Sequence, residues 1–249
     1  MNGAAANRNN NDFTPLTPYE TSQISLIRDW KNQEPWVISK TFGIVVSPLS
    51  WVVRNLIPEA VIRGVLDGAN AVSQYFADCN DIKRDGQVNS IKELRTKDLQ
   101  LSDKLANEVH NWAIGLAAAE GVGTGLIGLP GMVADIPAII TIALRTIHKI
   151  ALCYGYEVET KEDKDFILGI LAASGANTVK EKISALYTLR TIEVMIARTT
   201  KRKALQAIPA IGLLIGCSAN AWYIKEVGWA ARRAYQERWL IDNHKIIDI

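Results

Sequence analysis

Histidine and cysteine are scarce, with three of each among 249 residues. Cys79, Cys153 and Cys217 stand far apart, with no CxxC and no Cys/His metal spacing. They read as reduced structural thiols, as in a reducing compartment. His110, His148 and His244 make no HExxH, and no DxDxDG calcium loop occurs, so no metal is expected. No serine stands in a GxSxG, and Ser174-Gly-Ala lacks the flanking pattern. The absence of Gly-x-x-x-x-Gly-Lys-Ser/Thr argues against a P-loop NTPase. Gly121-x-Gly-x-Gly-x-x-Gly has part of a dinucleotide spacing, but no strand precedes it and no βαβ unit surrounds it. No cofactor is therefore expected. A large overall charge is also missing: 28 Lys plus Arg against 26 Asp plus Glu leave +2. The polar start, Met1-Asn-Gly-Ala-Ala-Ala-Asn-Arg, has no apolar h-region, and Gly does not follow Met1 directly. Any membrane is expected to be met from the cytoplasmic side.

Apolar sequence is plentiful. Hydrophobic residues make up 48% of the chain, and mean hydropathy is +0.04. From Ala113 to Leu144 the only ionisable side chains are Glu120 and Asp135, and six glycines punctuate the run. Such a stretch is long enough for a bilayer core, which needs ~20 apolar residues. Each glycine weakens a water-exposed helix by ~1 kcal/mol relative to alanine. Glycines at this density suit closely approaching backbones, in a packed helix pair or a membrane hairpin. Leu129-Pro130-Gly131 reads as a break, and Asp135 with Pro137 as the start of the next helix.

Residues 1–18 are small and polar and read as a disordered tail, and residues 19–249 as one helical domain. Thr17-Pro18 opens a helix with Glu20 in its first turn. The stretch 35–71 is an apolar, proline-split layer. Asp81-Ile-Lys-Arg-Asp-Gly reads as a turn, and Ser90 with Glu93 as a capping box. Helical periodicity returns at Asp103, and Gly155 is placed to end a helix as a left-handed cap. Thr141, Arg145 and His148 fall on one helical stripe. A second apolar passage, Ala204–Ile224, contains Pro209, Gly212 and Gly216. A last helix follows from Trp222 to about Leu240, its opposite face basic. Strand alternation is absent, so the fold class is all-α.

Two blocks carry a family likeness. Gly121, Gly123, Gly125, Gly128 and Pro130 are followed by Asp135 and Pro137, then by Arg145 and the run Tyr154-Gly155-Tyr156. The second block is Ile208-Pro209-Ala-Ile-Gly212 with Gly216 and Asn220. In this order and spacing they resemble the EcsC family, over roughly Pro35 to Leu240. The resemblance implies an all-α protein with a Gly-rich hairpin and an IPxIG hairpin. The family is named for its association with an ABC-transporter operon, and some members look membrane-associated. The resemblance assigns no catalytic roles.

Asp135 has three readings: an N-cap, a partner of Arg145 or of a residue in the second apolar passage within a buried polar cluster, or an acid–base group. Glu120, Arg145, His148 and Asn220 complete such a cluster, and Glu120, Asp135 and His148 are the catalytic candidates. Between Gly175 and Leu240 eleven bases face four acids. Arg198, Lys201, Arg202, Lys203, Arg232 and Arg233 are candidates to bind anionic lipid, at ~1 kcal/mol each. Adjacent apolar segments and tryptophans favour lipid over nucleic acid. The expected role is a non-enzymatic accessory of a transport or envelope process, peripheral to the cytoplasmic membrane face. The partner is an anionic membrane surface or a membrane protein. A lipid or peptide hydrolase and a soluble interaction module are the alternatives.

Overall fold

The computed structural model describes residues 13–32, 79–125, 129–174 and 217–247, with side chains at 120–140, 172 and 217–220 left aside. The elements are α1 (Pro18–Asn32), α2 (Asn80–Gly86), a 3-10 helix (Ile91–Thr96), α3 (Leu99–Gly125), α4 (Leu129–Cys153), α5 (Lys161–Ser174) and α6 (Cys217–Asp242). No strand occurs among the described residues, and the fold is all-α.

α6 is the axis of the assembly. It packs on α3, α4, α5 and α1. Enclosure from several sides explains why a helix with so many polar residues is buried along most of its length. Tyr223, Ile224, Val227, Ala230, Ala231, Ala234, Tyr235, Trp239 and Leu240 are all in the core. So are Arg232, Arg233, Gln236 and Glu237. The expected solvent-facing basic side of this helix is thus corrected. Its cations at 232 and 233 turn inward, where burial is tolerable only with partners. Gly228 makes room for the approach of α3: a Cβ there would lie 2.1 Å from the His110 ring.

The core face of α3 runs Leu99, Asp103, Ala106, His110, Ala113 and Ala117, the spacing of one helical stripe. Two polar residues therefore stand in an otherwise apolar seam. α3 and α4 pack side by side and antiparallel, since Tyr154 meets Asp103 near one end and Arg145 lies over Trp112 further along. Residues 126–128 between them lie outside the description.

Local signals explain most boundaries. Thr17 and Glu20 form a reciprocal capping box at α1. Ser90 and Glu93 form another, as their spacing predicts. Thr160 and Asp163 form a third before α5. α4 ends in a Schellman turn, with Tyr156 N–H bonded to Ala151 O and Gly155 N–H to Leu152 O, and with Gly155 at φ +84°.

Three boundaries differ from the sequence reading. Residues 80–86 form about two turns of helix, closed by a left-handed Gln87. α3 begins at Leu99 because Asp98, five residues before the expected start, accepts the Gln100 N–H at 2.9 Å. α4 begins at Leu129, so Asp135 lies in its second turn and is not its N-cap. Pro130 occupies the first turn, where its missing N–H costs nothing. Residues 13–17, assigned to the polar tail, are non-helical and joined to the C-terminal turn. Thr14 N–H donates to His244 O, and Lys245 Nζ to Pro15 O. Among the described residues, no helix is long and apolar enough to cross a membrane. The 35–71 layer, Pro209, Gly212, Gly216 and the cations at 198–203 lie outside the described residues.

Candidate functional site

Asp103, 3% exposed, is the hub of the interior. Its carboxylate accepts from the Tyr19 hydroxyl at 2.6 Å, the Gln236 amide at 2.7 Å and the Tyr154 hydroxyl. One side chain thus joins α1, α3, α6 and the end of α4. Arg233 extends the network, donating to Gln236 at 2.7 Å and to Gln23 at 3.0 Å. Arg232 donates to Asn107 at 2.9 Å, and both guanidinium groups lie over the Trp229 ring. Burial and the adjacent Arg232 push the Arg233 pKa down. Beside the network, Lys31 and Glu237 form a buried ion pair at 2.5 Å.

The Tyr154-Gly155-Tyr156 run is explained by this interior. Tyr154 serves Asp103. Gly155 presses against the 3-10 helix: a Cβ would lie 2.5 Å from Arg95 N. The Gly155 carbonyl accepts from Arg95 Nε at 2.9 Å. Tyr156 donates to Asp242 at 2.8 Å, and its ring is flanked by the Arg95 and Arg238 guanidinium groups. Burial, and then the neighbouring carboxylates, raise the pKa of Tyr19, Tyr154 and Tyr156 well above the usual phenol value. These hydroxyls therefore stay protonated and act as donors.

His110 and His148 are neutral at pH 7. Desolvation, aided by Arg232, lowers the His110 pKa to about 4, and its Nε2 lies 3.0 Å from Lys225 O. Desolvation, with Lys164 nearby, lowers His148 to about 4. Cys153 is a buried thiol bonded to Lys149 O, its pKa raised by burial, so it is no thiolate nucleophile. Among the described residues these polar groups bond one another, an arrangement that fixes the helices in place.

A shallow crevice opens between α3 and α4. Val109, Ala113, Leu116 and Ile142 line it, with Trp112, Arg145 and Lys149 at its rim. Trp112 is 56% exposed, and the Arg145 guanidinium stands 5.5 Å from its ring centroid. Lys149 is tied to Asp81 at 2.6 Å. Burial disfavours the Asp81 charge, but the Lys149 ammonium outweighs it and holds the carboxyl below its usual range.

The structure separates the residues grouped by sequence. Thr141 and Arg145 are exposed, whereas His148 is buried. Glu120, Asp135 and Asn220 lie on α3, α4 and α6, with side chains outside the description. The same holds for Gly121, Gly123, Gly125, Pro130 and Pro137, while Gly128 lies outside altogether. Arg232 and Arg233, expected at lipid headgroups, are instead in the interior network. Asp103, Tyr19 and Gln236 were missed. A signal existed for Asp103, a charge at a core position of an apolar 3.6-residue stripe.

The comparisons place this architecture. The model of the EcsC protein family matches residues 21–240. The uncharacterised protein YdbA of Bacillus subtilis (strain 168) is 25% identical over 176 residues, 63% of this chain and 64% of that protein. Protein EcsC of the same organism is 29% identical over 159 residues, 57% of this chain and 66% of that protein. The matches thus span just under two thirds of each relative's length. No solved structure matches. With a family match running from the first helix to the end of the last, the chain belongs to the EcsC protein family.

Proposed function

We propose that this chain is a non-catalytic accessory protein that binds the cytoplasmic face of an anionic membrane peripherally, in support of a transport or envelope process. The observation that carries it is the placement of Arg198, Lys201, Arg202 and Lys203 immediately before the apolar stretch Ala204–Ile224. Basic residues beside apolar segments draw anionic lipid. Positive charge on both flanks, with Lys225 following, disfavours a simple crossing, because cytoplasmic flanks are the ones enriched in Lys and Arg. Gln206, Ser218 and Asn220 would need partners inside lipid, which favours surface binding. A catalytic reading gains little from the one candidate whose side chain is described: His148 is buried.

The test is flotation with vesicles of neutral or mixed anionic lipid. Binding is expected only with anionic vesicles. It is expected to fall by an order of magnitude or more when Lys201, Arg202 and Lys203 become Gln, at ~1 kcal/mol per cation. It should also weaken at ~1 M salt, where the Debye length is ~3 Å. Equal binding to neutral and anionic vesicles, or none to either, would leave a soluble interaction module in its place.

A further inference from the structure

We infer that one end of the bundle docks on the lipid surface through a band formed by Trp112 and Arg145 on the α3–α4 pair and by Trp222 and Lys225 on α6. The inference rests on the peripheral membrane reading and names the surface that executes it.

Register fixes the band. On α3 and α6, Asp103 faces Gln236, Asn107 faces Arg232 and His110 faces Trp229. Continued along the two antiparallel helices, this register puts Trp222 level with Ala117 and Lys225 level with Ile114. On α3 and α4, Tyr154 faces Asp103 and Arg145 faces Trp112. The four residues therefore fall within five residues of helix, about 7 Å at 1.5 Å per residue. That matches the interfacial layer of a bilayer, about 5–8 Å per leaflet by the difference between total and hydrocarbon thickness.

Composition changes at this level. On one side α3 carries Lys104, Asn107, Glu108 and Asn111, all exposed. On the other, α3 beyond Trp112 and α4 before Arg145 contain only Glu120 and Asp135 as ionisable residues. Trp112 is 56% exposed and Trp222 36%, whereas Trp30 and Trp229 are half-buried and Trp239 is buried. Arg145 and Lys225 are exposed beside them, and Glu226, the acid at the same level, is half-buried. Tryptophan at the water–hydrocarbon boundary with adjacent cations is the composition of an interfacial anchor, and the cations complement anionic headgroups. Past the band, α3 continues only eight residues to Gly125, about 12 Å. That is less than half of the ~30 Å hydrocarbon core, so α3 dips and does not span.

The experiment uses the full chain with phosphatidylcholine–phosphatidylglycerol vesicles, some containing lipids brominated near the headgroup or deep in the acyl chain. Three double variants are compared with the wild type: Trp112→Ala/Trp222→Ala, Arg145→Gln/Lys225→Gln, and Lys97→Gln/Lys104→Gln at the polar end as a control. Circular dichroism and thermal melts establish that each is folded. The aromatic variant is expected to lose several-fold in partitioning at both low and high salt. The cation variant is expected to lose about tenfold or more, at low salt only. The control keeps wild-type partitioning. Shallow bromines are expected to quench the wild type more than deep ones, and Trp112→Phe/Trp222→Phe to lose most of that quenching. Wild-type binding with unchanged partitioning of both band variants overturns the band and leaves the membrane reading intact. Absence of wild-type binding overturns both. If the aromatic variant does not fold, the quenching lost in the Phe variant decides alone.

Discussion

Gly155 shows how much one position can carry. Its φ of +84° closes the Schellman turn of α4, and the space where a side chain would begin is filled by the Arg95 backbone. A methyl group there meets two penalties, a left-handed conformation and a 2.5 Å approach to Arg95 N. Gly155→Ala is expected to destabilise the protein by about 1–3 kcal/mol. Thermal or urea unfolding measures it, and an unchanged midpoint would show that the 3-10 helix yields freely. The cap was legible because glycine after an apolar periodic run is a recognised stop. That Tyr154 and Tyr156 on either side serve two different carboxylates, Asp103 and Asp242, was not legible. Those partners lie 51 and 86 residues away.

At the scale of elements, α1 is held by polar contacts more than by apolar ones. Ile27 is its one hydrophobic residue in the buried core, whereas Glu20 and Lys31 are 3% and 4% exposed. Tyr19 reaches Asp103, Lys31 reaches Glu237 and Glu20 lies 3.3 Å from Lys245. Such a helix depends on each partner being present. Lys31→Met strands a buried Glu237 and is expected to cost about 3–5 kcal/mol, while Lys31→Met/Glu237→Leu should recover most of that loss. Denaturant unfolding of the two variants checks it, and a double variant as unstable as the single would show that the pair does more than neutralise itself. The start of α1 was visible in Thr17, Pro18 and Glu20, a local capping signal. The environment of α6 was not. Periodicity identifies a helix and its most apolar side, but not how many elements will surround it. The basic residues of α6 accordingly read as a surface, and Arg232 and Arg233 prove to be interior. The same limit applies to α4: Asp135 and Pro137 look like a beginning when local signals are read alone, yet Leu129 and Pro130 already begin the helix. In the site, Asp103 was within reach as a charge in an apolar stripe, but its partners come from three other elements.

For the whole molecule, the interior predicts how stability responds to acid. His110 and His148 have pKa values near 4 in the fold, against an ordinary value of 6.5. In both, desolvation opposes the charged ring, and cations add to it: Arg232 and Lys225 near His110, Lys164 near His148. Between about pH 6.5 and about pH 4 the unfolded chain therefore binds protons that the native chain refuses, and stability falls as pH falls. Each histidine contributes about 1–3 kcal/mol to that loss, less than the full shift implies because neither site is wholly dry. Near and below about pH 4 a second contribution follows. The Asp81 and Asp163 carboxyls lie below their usual range despite burial that works the other way: Lys149 holds Asp81, while Thr160 and Arg238 hold Asp163. Their stabilisation is present above the ordinary carboxylate pKa and disappears as pH drops through the folded value. Melting temperature should thus decline already between about pH 6.5 and about pH 5, before the Asp81 and Asp163 carboxyls titrate. His148→Gln should flatten that early decline while leaving the steeper acid limb in place. A wild-type melting temperature constant across that interval would mean that the two rings take up protons in the native state and that the interior around them is wetter than its packing indicates.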